Sequence, residues 1–308
     1  MAGRSRVAAI VNPAAGRRRG AELRARARDR LRQLFPGLTI EETEGPGHAA
    51  ELARRCSGFE LVIIVGGDGT VREVACGLVH SPADIAVVPV GSGNDFCRTL
   101  GIPADVDAAC CVARDGAARV IDIARLVHDA GRKLFVNAAG FGFDAQVVAE
   151  TRRLSRLRGL PLYLAAVLRA VRRYECPVAT IRTDGREWRQ PVLLIAAANG
   201  RYYGGGMRIA PDALPDDGRL DVCIIDAVGR LTILRRLPRF VRGTHGKLPE
   251  VTFLRTPDLE LEFARPVPLQ LDGDLVDPPP SGRIRIEVVP RALRVVVPRA
   301  AQPARRSG

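Results

Sequence analysis

Val62-Ile63-Ile64-Val65-Gly66-Gly67-Asp68-Gly69-Thr70 decides how the rest of the chain is read. Four consecutive branched apolar residues predict a strand buried on both faces, the kind that parallel sheets use. Three glycines then open backbone conformations closed to other residues, so amide N–H groups can turn toward an anion. Val71 to Val79 carries apolar residues at helical spacing, and the helix it predicts offers its N-terminus to phosphate. Asp68 sits among those amides, where a bare carboxylate repels phosphate and a divalent cation between the two resolves the conflict. The turn points to a magnesium-nucleotide site. It is not a P-loop, because no Gly-x-x-x-x-Gly-Lys-[Ser/Thr] occurs.

The 308 residues suit two domains of ordinary size, and a hydrophobic content of 46% excludes wholesale disorder. No apolar run approaches the roughly 20 residues that cross a bilayer. Leu160 to Val171 comes nearest and is interrupted by Arg169. The first residues lack a signal-peptide core, so a cytoplasmic protein is expected. Seven cysteines show neither a Cys-x-x-Cys pair nor zinc-ligand spacing with the four histidines, which fits reduced thiols. The formal charge of +13 admits nucleic acid or an anionic membrane as a partner. Aromatic residues make up only 5% and do not interleave with basic ones, so nucleic acid is not expected.

Strands at Val7–Val11, Leu61–Val65 and Ile85–Val90 alternate with helices, one of them over Ala21–Phe35, which predicts a parallel α/β domain over residues 1–125. From Leu126 the runs shorten: Lys133–Ala138, Val178–Thr183, Val192–Ala198, Leu220–Ile225, Leu259–Phe263 and Arg283–Val289. Gly, Pro and Asp bound them, which predicts a mainly antiparallel sandwich or barrel over 126–290 with one helical insertion, Glu150–Tyr174. Leu293–Val297 closes either domain, so that 291–298 could complete the first. A disordered tail is expected over 299–308.

Other segments repeat the chemistry of the opening turn. Asn12-Pro13-Ala14-Ala15-Gly16 follows the first strand, and Pro89-Val90-Gly91-Ser92-Gly93-Asn94-Asp95-Phe96 ends the third. Alone, the first reads as a common turn, and the second reads as well as an Asx helix cap by Asn94 or Asp95 as a ligand loop. Three glycine loops at the carboxyl edge of one open sheet make a cradle for a nucleotide and its metal. Asp272-Gly273 is the standard hairpin dipeptide, and a carboxylate there could also accept the proton of an attacking hydroxyl. Residues 211–221 crowd four carboxylates into one loop, which reads as a solvated acidic turn or a seat for a structural cation.

In this order, Asn12-Pro13-x-x-Gly16, Gly66-Gly67-Asp68-Gly69-Thr70, Pro89-x-Gly91-Ser92-x-Asn94-Asp95-Phe96, the Asp216-Asp217-Gly218 loop and Asp272-Gly273-Asp274 resemble the soluble diacylglycerol kinase family. That family includes sphingosine, ceramide and bacterial lipid kinases, and the resemblance covers nearly the whole chain. It implies an N-terminal α/β domain of the NAD-kinase/phosphofructokinase type, a C-terminal β-sandwich, and ATP in the cleft between them. It implies that Asn12, Pro13, Gly16, Thr43, Gly66, Gly67, Asp68, Gly69, Thr70, Glu73, Gly91, Ser92, Asn94 and Asp95 form the ATP site. Asp68, Asp95 and Asp122 would organise the catalytic Mg2+. A structural Mg2+ would fall on Asp217 with the carbonyls of Leu214 and Arg219. The family's late motif usually reads Asp-Gly-Glu, so the base here is either Asp274 or Asp272. Arg72 stands where the family usually has Asn, facing phosphate or solvent.

The activity implied is an ATP- and magnesium-dependent lipid kinase, acting most naturally on diacylglycerol to give phosphatidic acid. Alternatives are another lipid acceptor, an NAD kinase, or a weakly active nucleotide- and membrane-binding regulator. Residues 152–173 carry seven arginines and no acid among leucines and valines. Such a stretch suits an anionic membrane surface or, equally, a helix covering the β domain. The expectation is peripheral association with the inner face of the membrane; a homodimer stays open.

Overall fold

The computed structural model describes residues 4–154 and 159–299. Of the tail expected over 299–308, residues 300–308 lie outside the described residues, as does the middle of the arginine-rich segment, 155–158. The chain forms two compact units, one up to Ile121 and resuming at Ala292, the other Asp122–Arg291.

The first unit runs β1 (Val7–Val11), α1 (Arg17–Leu34), β2 (Thr39–Glu42), α2 (His48–Arg55), β3 (Leu61–Gly66), α3 (Asp68–Leu78), β4 (Asp84–Pro89), α4 (Asp95–Leu100) and α5 (Val106–Asp115). β1 pairs in parallel with β2 on one side and β3 on the other, and β3 pairs in parallel with β4. Leu61, Val62, Ile63, Ile64 and Val65 are all fully buried, as an all-apolar strand covered on both faces requires. Each such side chain contributes about 2 kcal/mol relative to exposure. The chain leaves β1 toward β2 and returns past it to β3, so the winding direction reverses between β1 and β3. Open α/β sheets bind ligands at the carboxyl ends of strands at that reversal.

The strand β5 (Ala117–His128) carries the chain from one unit into the other, ahead of the boundary expected at residue 125. One continuous strand leaves no linker composition for a sequence reading to find. The second unit continues through β6 (Gly131–Phe135), β7 (Ala138–Gly142), α6 (Phe143–Arg153), α7 (Gly159–Arg173), β8 (Val178–Thr183), β9 (Arg186–Ala198), β10 (Leu220–Asp226), α8 (Arg230–Arg242), β11 (Val251–Thr256), β12 (Asp258–Phe263), β13 (Leu269–Leu271), β14 (Asp274–Val276) and β15 (Arg283–Val297). The insertion expected over Glu150–Tyr174 is therefore two helices and begins at Phe143. The run Lys133–Ala138 is split between β6 and β7.

β9 belongs to two sheets: Arg186–Pro191 pairs with β8, and Val192–Ala198 pairs with β7 and β10. Side chains of both sheets, among them Phe135, Phe141, Ile181, Ile195 and Ile286, form one core. A second core packs the outer face of the β7–β9–β10 sheet against α6, α7 and α8 through Phe143, Val147, Val167, Val171 and Ile233. The result is a sandwich with a helical layer on one side. No described helix is long and apolar enough to cross a membrane.

Candidate active site

In the first unit, the loops after β1, β3 and β4 meet at the carboxyl edge of the sheet. Asn12 ties two of them: its Nδ2 donates to Thr70 Oγ1 at 2.8 Å, while its Oδ1 accepts from the Ala14 amide at 2.9 Å. Gly16 takes the left-handed conformation (φ 83°), and a Cβ there would lie 2.2 Å from the Val90 carbonyl oxygen. Gly67 and Gly91 cross so closely that a Cβ on Gly91 would stand 2.6 Å from the Gly67 Cα. These glycines are required because backbone passes over backbone. Thr43 is buried, its amide donating to the carbonyl of Val11, the last residue of β1, at 3.0 Å. Pro13 and Ser92 are exposed, whereas Gly66 and Thr70 are buried.

Asp68 opens α3, and its Oδ1 accepts from the Phe96 amide at 3.1 Å. Burial pushes its carboxyl above the usual range, opposed by the backbone N–H groups of Phe96, Asn94 and Asp95, which favour the charged form. Asp95, also buried, is 3.8 Å from Arg98. Asn94 does not cap α4 with its side chain. It bends back onto Gly91, accepting from its amide at 3.1 Å and donating to its carbonyl at 3.0 Å, and so holds the glycine crossing. Glu73 braces α2 instead of facing the glycine loops: its two oxygens accept the Gly47 and Ala49 amides at 2.9 and 3.2 Å. Arg72 is half-buried.

Among the described residues no three His, Cys, Asp or Glu side chains gather to hold a metal. Magnesium asks less of the protein, taking one or two carboxylates and completing its shell with phosphate and water. Asp68, with Asp95 beside it on α4, fits that need.

In the second unit, Asp272 and Gly273 are the two central residues of a tight hairpin joining β13 and β14, with φ of 50° and 86°. The Asp272 carboxylate accepts the Val136, Asn137 and Ala138 amides at 2.9, 2.9 and 3.0 Å. It is a staple across the sheet. Asp274, next along, is half-exposed and 3.2 Å from Arg152 on α6. Both candidate bases are half-buried; the Asp272 carboxylate is engaged by three backbone amides, whereas the Asp274 side chain is 43% exposed beside Arg152. Asp122 lies in this unit too, accepting the Arg291 and Gly218 amides at 2.7 and 2.8 Å. It secures the acidic loop. In that loop Asp217 accepts the Arg219 amide at 3.0 Å and pairs with Arg255, whose Nε is 3.7 Å from Asp221. Arg255 thus answers two of the loop's four carboxylates, and the structural Mg2+ expected on Asp217 would share that carboxylate with it. Leu214, expected as a carbonyl ligand there, is 39% exposed.

Sequence reading missed Asp144 and Gln270, both buried beside the hairpin. The alternation Gly140-Phe141-Gly142 just before Asp144 was the available signal: a small residue facing inward makes room for something polar.

Residues 6–126 match the diacylglycerol kinase catalytic domain, and residues 137–297 match the YegS C-terminal NAD kinase beta sandwich-like domain. This pairing, with glycine loops around a buried carboxylate in one unit and a sandwich in the other, defines a lipid kinase. The chain is 32% identical over 301 residues to a diacylglycerol kinase of Mycobacterium tuberculosis, covering 96% of each. It is 33% identical to the Probable lipid kinase YegS-like of Xanthomonas campestris pv. campestris, covering 86% of this chain and 87% of that one. A crystal structure of a diacylglycerol kinase from Bacillus anthracis str. Sterne shares the fold, with a TM-score of 0.71 at 23% identity over 96% of this chain and 97% of that one. The chain belongs to the diacylglycerol kinase family.

Proposed function

We propose that the protein transfers the γ-phosphate of ATP to the hydroxyl of diacylglycerol, yielding phosphatidic acid. The observation that carries this reading is the packed glycine edge at the β1/β3 reversal, with the Asp68 carboxylate buried among the α4 amides. Gly16, Gly67 and Gly91 let the loops after β1, β3 and β4 pack backbone against backbone at the N-terminal ends of α1 and α3, where main-chain N–H groups suit a polyphosphate; the Gly91 amide itself is taken by Asn94 Oδ1. Asp68 and Asp95 would hold magnesium, which neutralises charge developing on the transferred phosphoryl group. Asp274 accepts the proton of the attacking hydroxyl, and Asp272 holds the hairpin that carries it.

The acceptor presents its hydroxyl at a membrane. The α7 surface carries exposed Leu164 and Leu168 beside Arg169, Arg172 and Arg173, and this composition suits an anionic lipid interface. Sedimentation with vesicles is expected to show binding that rises with anionic lipid content; equal binding to neutral vesicles argues against the electrostatic part. A kinase assay with labelled ATP against diacylglycerol, a sphingoid base, a polyprenol and a glycolipid, with NAD as a soluble control, tests the substrate. The relatives named lipid kinases favour a second reading, in which another lipid alcohol is the acceptor. Labelling of a different lipid with diacylglycerol untouched would select it.

A further inference from the structure

A carboxylate buried without a nearby cation is costly, so its retention calls for a reason. Asp144, the second residue of α6, is such a group: it is 8% exposed, and burial pushes its carboxyl up to about 6. Tyr174 and Cys223 lie close enough for its charge to disfavour their ionisation. Its Oδ2 accepts from Gln270 Nε2 at 3.2 Å, and Gln270 Oε1 accepts from the Gly273 amide at 2.8 Å. Gln270 is 1% exposed and pairs across the ladder with Gly140. A Cβ on Gly140 would stand 1.7 Å from Asp144 Oδ2 and 2.5 Å from Gln270 Nε2, so the glycine is the space in which the pair fits.

The hairpin needs such a brace. β14 is three residues long and, among the described residues, pairs with β13 alone, and a short edge hairpin gains little from its ladder. Asp272 fixes the residue before Gly273, while Asp144 reaches Gly273 itself through Gln270. The amide oxygen of Gln270 can face Gly273 only if its nitrogen faces an acceptor, which Asp144 provides. Reversal of that amide would set two N–H donors against each other.

We propose that Asp144 is a positioning residue, acting through Gln270 and the Gly273 amide to fix the direction of the Asp274 carboxylate. This rests on the reading of Asp274 as the base. A misplaced base costs rate more than affinity, since displacement of about 1 Å lowers turnover by about 100-fold. In Asp144→Leu and Gln270→Met, kcat on the lipid acceptor should fall by about 10- to 100-fold while KM for ATP and lipid stays within about twofold. Asp144→Asn keeps an acceptor oxygen and should restore kcat.

Amide hydrogen exchange supplies a readout that needs no substrate. The Gly273 amide should exchange about tenfold faster in both damaging variants, as expected for loss of one hydrogen bond, and near the wild-type rate in Asp144→Asn. Unchanged kcat and unchanged Gly273 protection in Gln270→Met, or an Asp144→Asn enzyme as impaired as Asp144→Leu, would overturn the proposal. If the wild type phosphorylates no lipid, the reading of Asp274 fails on that result. Gly273 exchange then still decides whether the brace exists. Should Asp144→Leu fail to fold, Gln270→Met carries both readouts.

Discussion

Replacing Gly16 by alanine tests whether the loops after β1 and β4 are packed backbone to backbone. Two penalties apply at this position. The left-handed backbone (φ 83°) costs an alanine about 1 kcal/mol. The new Cβ would also lie 2.2 Å from the Val90 oxygen and 2.8 Å from the Gly20 Cα, so backbone must move. Overpacking of that kind costs a further 1–3 kcal/mol or so, giving about 2–4 kcal/mol in all. Gly37 supplies the control in the same unit: its φ is 85°, but a Cβ there meets nothing within 4 Å. Gly37→Ala should therefore lose about 1 kcal/mol. At about 2–4 °C per kcal/mol, Gly37→Ala lowers the melting transition by about 2–4 °C and Gly16→Ala by about 4–16 °C. Circular dichroism melts measure both, and hydrogen exchange of residues 12–20 and 88–92 locates the damage. Equal destabilisation by the two substitutions would refute the close packing and, with it, the cradle built on it.

Asp274→Asn should abolish lipid phosphorylation while nucleotide binding stays at the wild-type level; wild-type turnover in that variant removes Asp274 from the mechanism. Asp272→Asn should act on stability first, costing about 2–4 kcal/mol, because a single amide oxygen replaces a carboxylate that accepts three backbone amides. A chemical-denaturation midpoint unchanged in Asp272→Asn would deny the staple. Asp144 has a folded-state value raised to about 6, so the fold favours its protonated form. Its contribution to stability is accordingly lost as pH rises from about 4 to about 6, by about 3 kcal/mol in full. Asp144→Asn should unfold later than wild type at pH 7 and match it near pH 4; a difference independent of pH would contradict the assignment.

The α/β half was legible because its determinants are local. Leu61 to Val65 can only be a strand covered on both faces, and the glycines that follow must lie where backbone crosses backbone. The second unit depends on pairings that sequence does not display. Pro290 ends the alternating run Arg283–Val289, yet β15 continues past it to Val297, because the proline falls between the segment paired with β12 and the segment paired with β4. Val136 and Asn137 interrupt a run that reads as one strand, and their amides are spent on Asp272, a residue 135 or more positions away. The candidate site divides in the same way. Asp68 and the three glycine loops were visible as motifs. That Asp272 spends its carboxylate on three backbone amides, whereas Asp274 lies beside Arg152, was not readable from the motif. Glu73 matched a motif position, but its carboxylate turns to α2, which spacing alone does not reveal.

The central claim is phosphoryl transfer to a lipid hydroxyl. It is tested most directly by incubating the full chain with γ-labelled ATP, magnesium and diacylglycerol in anionic mixed micelles and resolving the lipid products. Labelled phosphatidic acid, formed by the wild type and absent with Asp274→Asn, is the predicted result. An enzyme that binds ATP yet labels neither diacylglycerol nor any other lipid alcohol in the panel would contradict the account.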